Sequence, residues 1–233
     1  MNVPVILILA LCAVIGYLFG SINWSIILTK RFSGADIREQ GSGNAGMTNV
    51  LRTVGKLPAI LTFVGDFLKC VAAVLIAWAI AAVTLPLAGG TAPGPELVKI
   101  AKFLAGVGCV LGHAFPLYHG FRGGKCIVTS SAMIMMTDWR VFLLVLATFG
   151  IVFLCKRIIS LASVCCAGLY PIYTFLLTYR VDFLSGNCSM LYLSTAMLLS
   201  LGVCVLVLWK HRANIGRLRR GEEQPIRAKK KEE

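Results

Sequence analysis

Between Gly41 and Arg52 the chain reads GSGNAGMTNVLR. Gly41, Gly43 and Gly46 are interleaved with Ser42, Asn44, Thr48 and Asn49, and a guanidinium closes the run. Glycines allow successive backbone N–H groups to converge on one cluster of oxygens. Hydroxyls and amides add further donors, and Arg52 supplies a permanent charge that suits phosphate. This is the make-up of an anion-binding loop. A tight polar turn capping the next apolar run is the other reading these residues allow. The spacing matches neither GxxxxGK[ST] nor GxGxxG. A second stretch, FRGGK, places Gly123, Gly124 and Lys125 at the start of another apolar segment. Free amides at a helix N-terminus and an ammonium attract an anion there. An interfacial lysine snorkelling to lipid headgroups fits the same residues.

Other polar groups stand close to these two stretches. His113, in GHAFPLYHGF, titrates in the range of a general base, or serves as a hydrogen-bonded structural residue. His119 lies nearer the loop and is expected to be exposed. Asp66 and Lys69 are three apart within an apolar run, so they share a helix face as a functional or a structural pair. Ser160 and Ser163 suit close helix packing as well as chemistry. In KHRANIGRLRR, His211, Asn214 and Arg217 fall on roughly one helical face, which is either a solvated basic helix end or a reach of Asn214 toward the anion loop.

Helices in lipid must position these groups. Of 233 residues 58% are hydrophobic, and the mean hydropathy is +0.81. That is too much apolar surface for a soluble domain of this length to hide. Seven spans are expected, at 4–28, 57–85, 98–117, 124–138, 140–156, 158–178 and 189–209. The fourth is short: about 15 residues reach only about 22 Å of a 30 Å core. A short span is accommodated by thinning the bilayer or by starting below the interface, inside protein. The N-terminal run has no basic residue before it and Lys30 and Arg31 after it, which predicts a retained helix with the N-terminus outside. With seven crossings the inner side holds Lys30, Arg31, Arg38, Arg52, Lys56, Arg122, Lys125, Lys156, Arg157 and the basic tail. The outer flanks hold only Lys99, Lys102, Arg140 and Arg180. Both glycine-rich stretches and the tail then share the cytoplasmic side.

The net charge is +13, and nine of the 23 Lys and Arg lie between Lys210 and Lys231, directly after an apolar segment. That position implies anionic lipid as the partner and not nucleic acid. The tail beyond Gly221 is expected to be disordered. The Pro/Gly-rich connector Leu85–Glu96 carries no expected chemistry. The nine cysteines form no CxxC pair or metal spacing and read as small apolar packing residues, with Cys188 left open.

Taken together, YLFGSINWSIILTKRFSGADIREQGSGNAGMTNVLRTVGK with the DFLK after it, GHAFPLYHGFRGGK, SLAS and HRANIGRLRRGEE resemble the bacterial acyl-phosphate:glycerol-3-phosphate acyltransferase family, the PlsY-type integral membrane enzymes. The segments occur in family order along nearly the whole chain. The resemblance implies an all-α, polytopic protein with seven transmembrane helices in the bacterial plasma membrane. It also implies an active site at the cytoplasmic face, a single domain over 1–233 with a basic cytoplasmic tail from 210, and transfer of a fatty acyl group from acyl phosphate to the 1-hydroxyl of sn-glycerol 3-phosphate. No cofactor or metal is implied; the partners are the two substrates and membrane lipid. Residue by residue, Ser42, Asn44, Asn49 and Arg52 match the first motif, His113, Gly123, Gly124 and Lys125 the second, and Asn214 the third. Three positions depart from it: Met47 stands where alanine is usual, and Cys70 and Cys126 where glycine is usual. The expected division of labour has Arg52 and Lys125 holding phosphates, loop amides and Ser42 completing the cradle, and His113 or a donor phosphate oxygen taking the hydroxyl proton. A membrane transporter of an organic phosphate is the rival reading. It shares the spans and the cations and predicts flux without an acyl product.

Overall fold

The structure is a computed structural model that describes residues 3–88, 95–223 and 225. The described part of the chain is helical. The helices are α1 (Val3–Ser21), α2 (Trp24–Ser33), α3 (Met47–Thr53), α4 (Lys56–Leu87), α5 (Pro95–Ala114), α6 (Ile127–Thr137), α7 (Trp139–Lys156), α8 (Ile159–Phe175), α9 (Met190–Lys210) and α10 (Arg212–Arg219). Two short 3-10 turns, Ile37–Glu39 and Leu117–His119, lie in the loops, and α8 runs on as a π-helical segment, Leu176–Phe183.

Among the described residues, six helical stretches are long and apolar enough to cross a bilayer. Their apolar side chains point outward as well as inward. Leu198 is 71% exposed and Ile151 65%, and α4 adds Leu75 and Trp78. Outward apolar surface on long helices marks lipid as the solvent, so the chain is an all-α, polytopic integral membrane protein.

The first expected span is two helices. It breaks at Ile22–Asn23, where Asn23 Oδ1 accepts from Ile26 N at 3.3 Å and restarts the chain as α2. The fourth is shorter than expected. Its helix covers 11 residues, about 16 Å of rise. It begins inside the protein: Cys126 ahead of it is buried, and its thiol donates to Val110 O, 3.4 Å away, one turn before His113. The last span does not run straight into the tail but turns at His211 into α10. Part of the connector, 89–94, and most of the tail beyond Glu223 lie outside the described residues.

α1 and α5 approach most closely. Gly16 and Gly20 of α1 face the backbone of Ala105 and Cys109, while Gly108 and Gly112 of α5 face the backbone at Ala13 and Tyr17. A side chain on any of the four would overlap main-chain atoms of the other helix. Tyr17 Oη donates to Phe115 O at 2.9 Å and Leu117 N to Ser21 Oγ at 3.2 Å, so this seam also sets the loop after His113. At the far end, Arg140 pairs with Asp138, the cap of α7, and with Asp182, tying α7 to the π-helical segment. All nine cysteines are free thiols. Cys188 is buried, its thiol 3.8 Å from Thr178 O, and packs as six others do; Cys165 is half-buried and Cys155 exposed.

Candidate active site

The two glycine-rich stretches meet at one end of the helix bundle. The first is organised by a single buried side chain. Asn49, on α3, donates through Nδ2 to Gln40 O (2.9 Å), Asn44 O (3.1 Å) and Ile37 O (3.2 Å), and its Oδ1 accepts from Ser42 N at 3.0 Å. The loop turns through positive φ at Gly41 (53°) and Gly43 (68°), a region that glycine occupies without strain. Asn49 therefore shapes the cradle and is fully occupied in doing so. Asn49→Asp removes the donor and leaves three carbonyls facing a charge. It is expected to raise the KM for a phosphate substrate more than tenfold and to cost about 2–4 kcal/mol of stability; substrate titration and thermal melting check both effects.

The second loop packs against the first and against His113. Gly124 N donates to His113 O at 3.1 Å, and a Cβ on Gly124 would overlap Ala45 O and the His113 ring. Gly123 is pressed just as closely on the carbonyls of His113 and Ala114. These two glycines act through close approach. They do not line the cavity below, and neither do Gly41 and Gly43. Arg38, paired with Asp36, also donates to His119 O at 2.7 Å and ties the loops together. His119 is half-buried, not exposed as expected. At Cys126 the backbone has φ +68°, which explains why a glycine suits this position.

A cavity of about 440 Å³ opens between the loops and α6–α9. Ser42, Asn44, Gly46, Thr48, Asn49 and Arg52 line its polar end, and His113, Lys125 and Asn214 join them there. Of the departures from the family pattern, Met47 and Cys126 also line the cavity, whereas Cys70 lies in the core. The remaining wall is apolar, built from phenylalanines of α7 and small residues of α8 and α9.

Lys125 Nζ donates to Asn214 Oδ1 at 2.6 Å, and Asn214 Nδ2 donates to Glu223 Oε1 at 2.6 Å. Glu223 also accepts from Ser160 Oγ (2.7 Å) and Arg217 Nε (2.5 Å). The tail just past Gly221, expected to be disordered, is thus pinned at Glu223. Burial pushes this carboxyl up, but the bonds from Arg217, Ser160 and Asn214 outweigh it and hold the group below the usual carboxylate range. For Lys125, burial comes first and the Arg217 charge second. With Arg52 adding to them against Glu223, they push the ammonium down to about 8.

The two cavity histidines carry opposite tautomers. Lys69 has three donors and spends them on Ile22 O (2.6 Å), Asp66 Oδ1 (2.7 Å) and His113 Nδ1 (3.0 Å). Asp66 is 3.6 Å from the same ring nitrogen, too far for a hydrogen bond. An ammonium only donates, so His113 Nδ1 accepts and its Nε2 carries the proton. The Asp66–Lys69 pair is therefore the device that fixes this ring. His211 Nδ1 lies 2.8 Å from Val207 O, which only accepts, so here Nδ1 carries the proton and Nε2 is bare. Burial pushes His211 down to about 4 and keeps it neutral. His113 thus offers a donor and His211 an acceptor.

His211, Arg217, Ser160 and Glu223 are the site residues that sequence reasoning left to packing or solvent. The i, i+3, i+6 spacing of His211, Asn214 and Arg217 was the available signal. Which side of that helix end meets Lys125 depends on the turn at His211.

A family model of glycerol-3-phosphate acyltransferases matches residues 10–221. The glycerol-3-phosphate acyltransferase of Thioalkalivibrio sulfidiphilus is 41% identical over 226 residues, covering 97% of this chain and 98% of its own. That of Clostridioides difficile is 39% identical, covering 94% and 95%. The crystal structure of PlsY (YgiH), an integral membrane glycerol 3-phosphate acyltransferase, in its glycerol 3-phosphate form superposes with a TM-score of 0.71 at 29% identity over 94% of this chain and 96% of that one. Its lysophosphatidic acid form gives 0.69 at 28% identity, with the same coverage. With two loops, a cation cluster and an apolar slot joined in one cavity, and with relatives matched along nearly its full length, the chain belongs to the glycerol-3-phosphate acyltransferase family.

Proposed function

We propose that this chain transfers a fatty acyl group from acyl phosphate to the 1-hydroxyl of sn-glycerol 3-phosphate, giving lysophosphatidic acid and phosphate. One observation carries the reading: a cation-lined phosphate end and an apolar slot belong to a single cavity. A water-soluble phosphate ester and a lipid chain meet in such a space and in few others. The first acylation step of phospholipid biosynthesis has this pair of substrates.

The whole chain acts as one domain that crosses the bacterial plasma membrane seven times. Its N-terminus is outside and its active site and C-terminus face the cytoplasm. The basic loops and α10 gathered at the cavity end support this orientation under the positive-inside tendency. The short α6 counts as a crossing because it starts within the protein and packs against the longer helices α4, α5 and α7, its remaining face lining the cavity.

Acyl phosphate is a mixed anhydride and already activated, so the site has to position, orient and neutralise charge. Arg52 and Lys125 hold the two phosphates, with Ser42, Asn44, Thr48 and the amides that open α3 after Gly46 completing the cradle, whose loop Gly41 and Gly43 shape. Asn214 fixes Lys125. Gly123 and Gly124 bring the second loop against His113, whose Nε2–H donates to a substrate oxygen. The bare Nε2 of His211 accepts from the glycerol hydroxyl and orients it. As the hydroxyl oxygen bonds to the carbonyl carbon, the bond from carbon to phosphate oxygen breaks. The hydroxyl proton ends on the departing phosphate, which takes up the released charge. Transfer is direct, with no acyl-enzyme.

The assay supplies purified protein in lipid with acyl phosphate and glycerol 3-phosphate, and acyl-CoA as a comparison donor. Lysophosphatidic acid is expected from acyl phosphate alone, and Arg52→Ala is expected to lose about a hundredfold in kcat/KM. Substrate flux in proteoliposomes without acyl product would replace this reading with a transporter.

A further inference from the structure

Resting on the acyl-transfer reading above, we infer that Tyr170, backed by Ile134, is the end wall of the acyl slot and sets the chain length this protein accepts. The slot runs along one face of α8, where Ser160, Ser163, Ala167 and Tyr170 line it in succession. Ser160 belongs to the Glu223–Asn214–Lys125 network at the phosphate end. Tyr170 lies ten residues further along, about 15 Å away and about the reach of twelve extended carbons.

Tyr170 and Ile134 are both buried, at 3% and 4% exposure. Both also border a second, small cavity of about 10 Å³ whose other walls include Phe103, Thr174 and Tyr192. Tyr170 and Ile134 are the two residues common to both spaces. They are therefore a partition: they border the slot on one side, and beyond them lies a void with room for about one water, so a longer slot comes from removing their own side-chain volume. Removing the partition lengthens the slot toward α9, whereas filling it at Ala167 shortens it.

The partition selects by exclusion. An acyl chain outside the slot sits in lipid, which is as apolar as the slot, so burial itself gives little preference. A chain too long for the slot must displace packed side chains, and close-packed interiors resist that.

The experiment measures kcat/KM for dodecanoyl, myristoyl, palmitoyl and stearoyl phosphate with the full chain in nanodiscs. Tyr170→Ala is expected to raise the palmitoyl-to-dodecanoyl ratio about tenfold, whereas Ala167→Phe, which leaves too little room for dodecanoyl as well, should lower dodecanoyl transfer by a similar factor. Tyr170→Phe, which keeps the ring, should retain the wild-type ratio. Ile134→Ala gives the same direction as Tyr170→Ala and stands in for it if that variant does not fold. Lysophosphatidic acids of the same four lengths provide a readout without turnover, through thermal stabilisation of each variant in nanodiscs. A length order that is the same in wild type, Ile134→Ala, Tyr170→Ala and Ala167→Phe, all folded and active, overturns the inference and leaves the acyl-transfer reading intact. If no acyl phosphate gives product, the acyl-transfer reading fails, and the stabilisation series alone decides whether Tyr170 bounds the slot.

Discussion

Lys125→Ala is expected to lower kcat/KM by about a hundred- to a thousandfold, the scale seen when one preorganised donor to a developing charge is lost. The variant should fold, because Lys125 is half-buried and its ammonium makes a single side-chain hydrogen bond, to Asn214 Oδ1. Wild-type activity should also carry the signature of this ammonium. Burial and the Arg217 charge push it down to about 8, so it is charged below that value and loses its proton as pH rises through it. A cation that binds phosphate is therefore largely present at neutral pH and progressively lost as pH rises through about 8. In the free enzyme, kcat/KM should fall with a limiting slope of tenfold per pH unit on that side. Lys125→Arg removes the titration, so its profile should stay flat across the same range even though its planar fork lowers the absolute rate. A wild-type profile that is flat from pH 7 to 10 would separate Lys125 from substrate binding.

Gly112→Val is expected to abolish the folded protein. A Cβ at this position would overlap Tyr17 O and come within 2.8 Å of Ser21 N and 2.9 Å of Gly20 C, all main-chain atoms of α1 or its end. Backbone cannot rotate out of the way as a side chain can, so α1 and α5 would have to separate. In lipid there is no hydrophobic drive to hold two helices together once close packing is lost. The penalty exceeds the usual overpacking cost of about 1–3 kcal/mol. Gly202→Ala is the control: nothing lies within 4 Å of its added Cβ, and the change should stabilise α9 by up to about 1 kcal/mol. Monodisperse yield and melting temperature in detergent distinguish the two outcomes. A milder Gly112→Ala that still folds should show raised KM, because the same seam sets the loop that follows His113.

Much of the site was legible before the fold. The glycines, amides and cations at Gly41–Arg52 and FRGGK announced an anion, and the charge distribution placed both stretches on one side of the bundle, where the structure brings them together. The outward-facing leucines and the free buried cysteines likewise follow from composition. Other features were hidden because they depend on where a chain turns. A continuous apolar run does not reveal the break at Asn23, which needs a capping side chain with its partner amide in place. The eleven-residue α6 is short because its start is buried against Val110, a contact between segments 16 residues apart. Glu223 read as one more tail charge until the turn at His211 carried it to Ser160, 63 residues away.

The sequence by itself determined the solvent, the helical class and the chemical character of the ligand, since these follow from the kinds of residue present and their local spacing. The tertiary structure decided which groups meet. It set His113 Nδ1 against Lys69 and His211 Nδ1 against Val207 O, occupied Asn49 with shaping a loop, and put Tyr170 on the border of two cavities. The Lys69–His113 contact joins residues 44 apart and the Ser160–Glu223 bond residues 63 apart, and only a packed backbone fixes such distances; the bonds of Asn49 and His211 are local and depend on the turns that aim them.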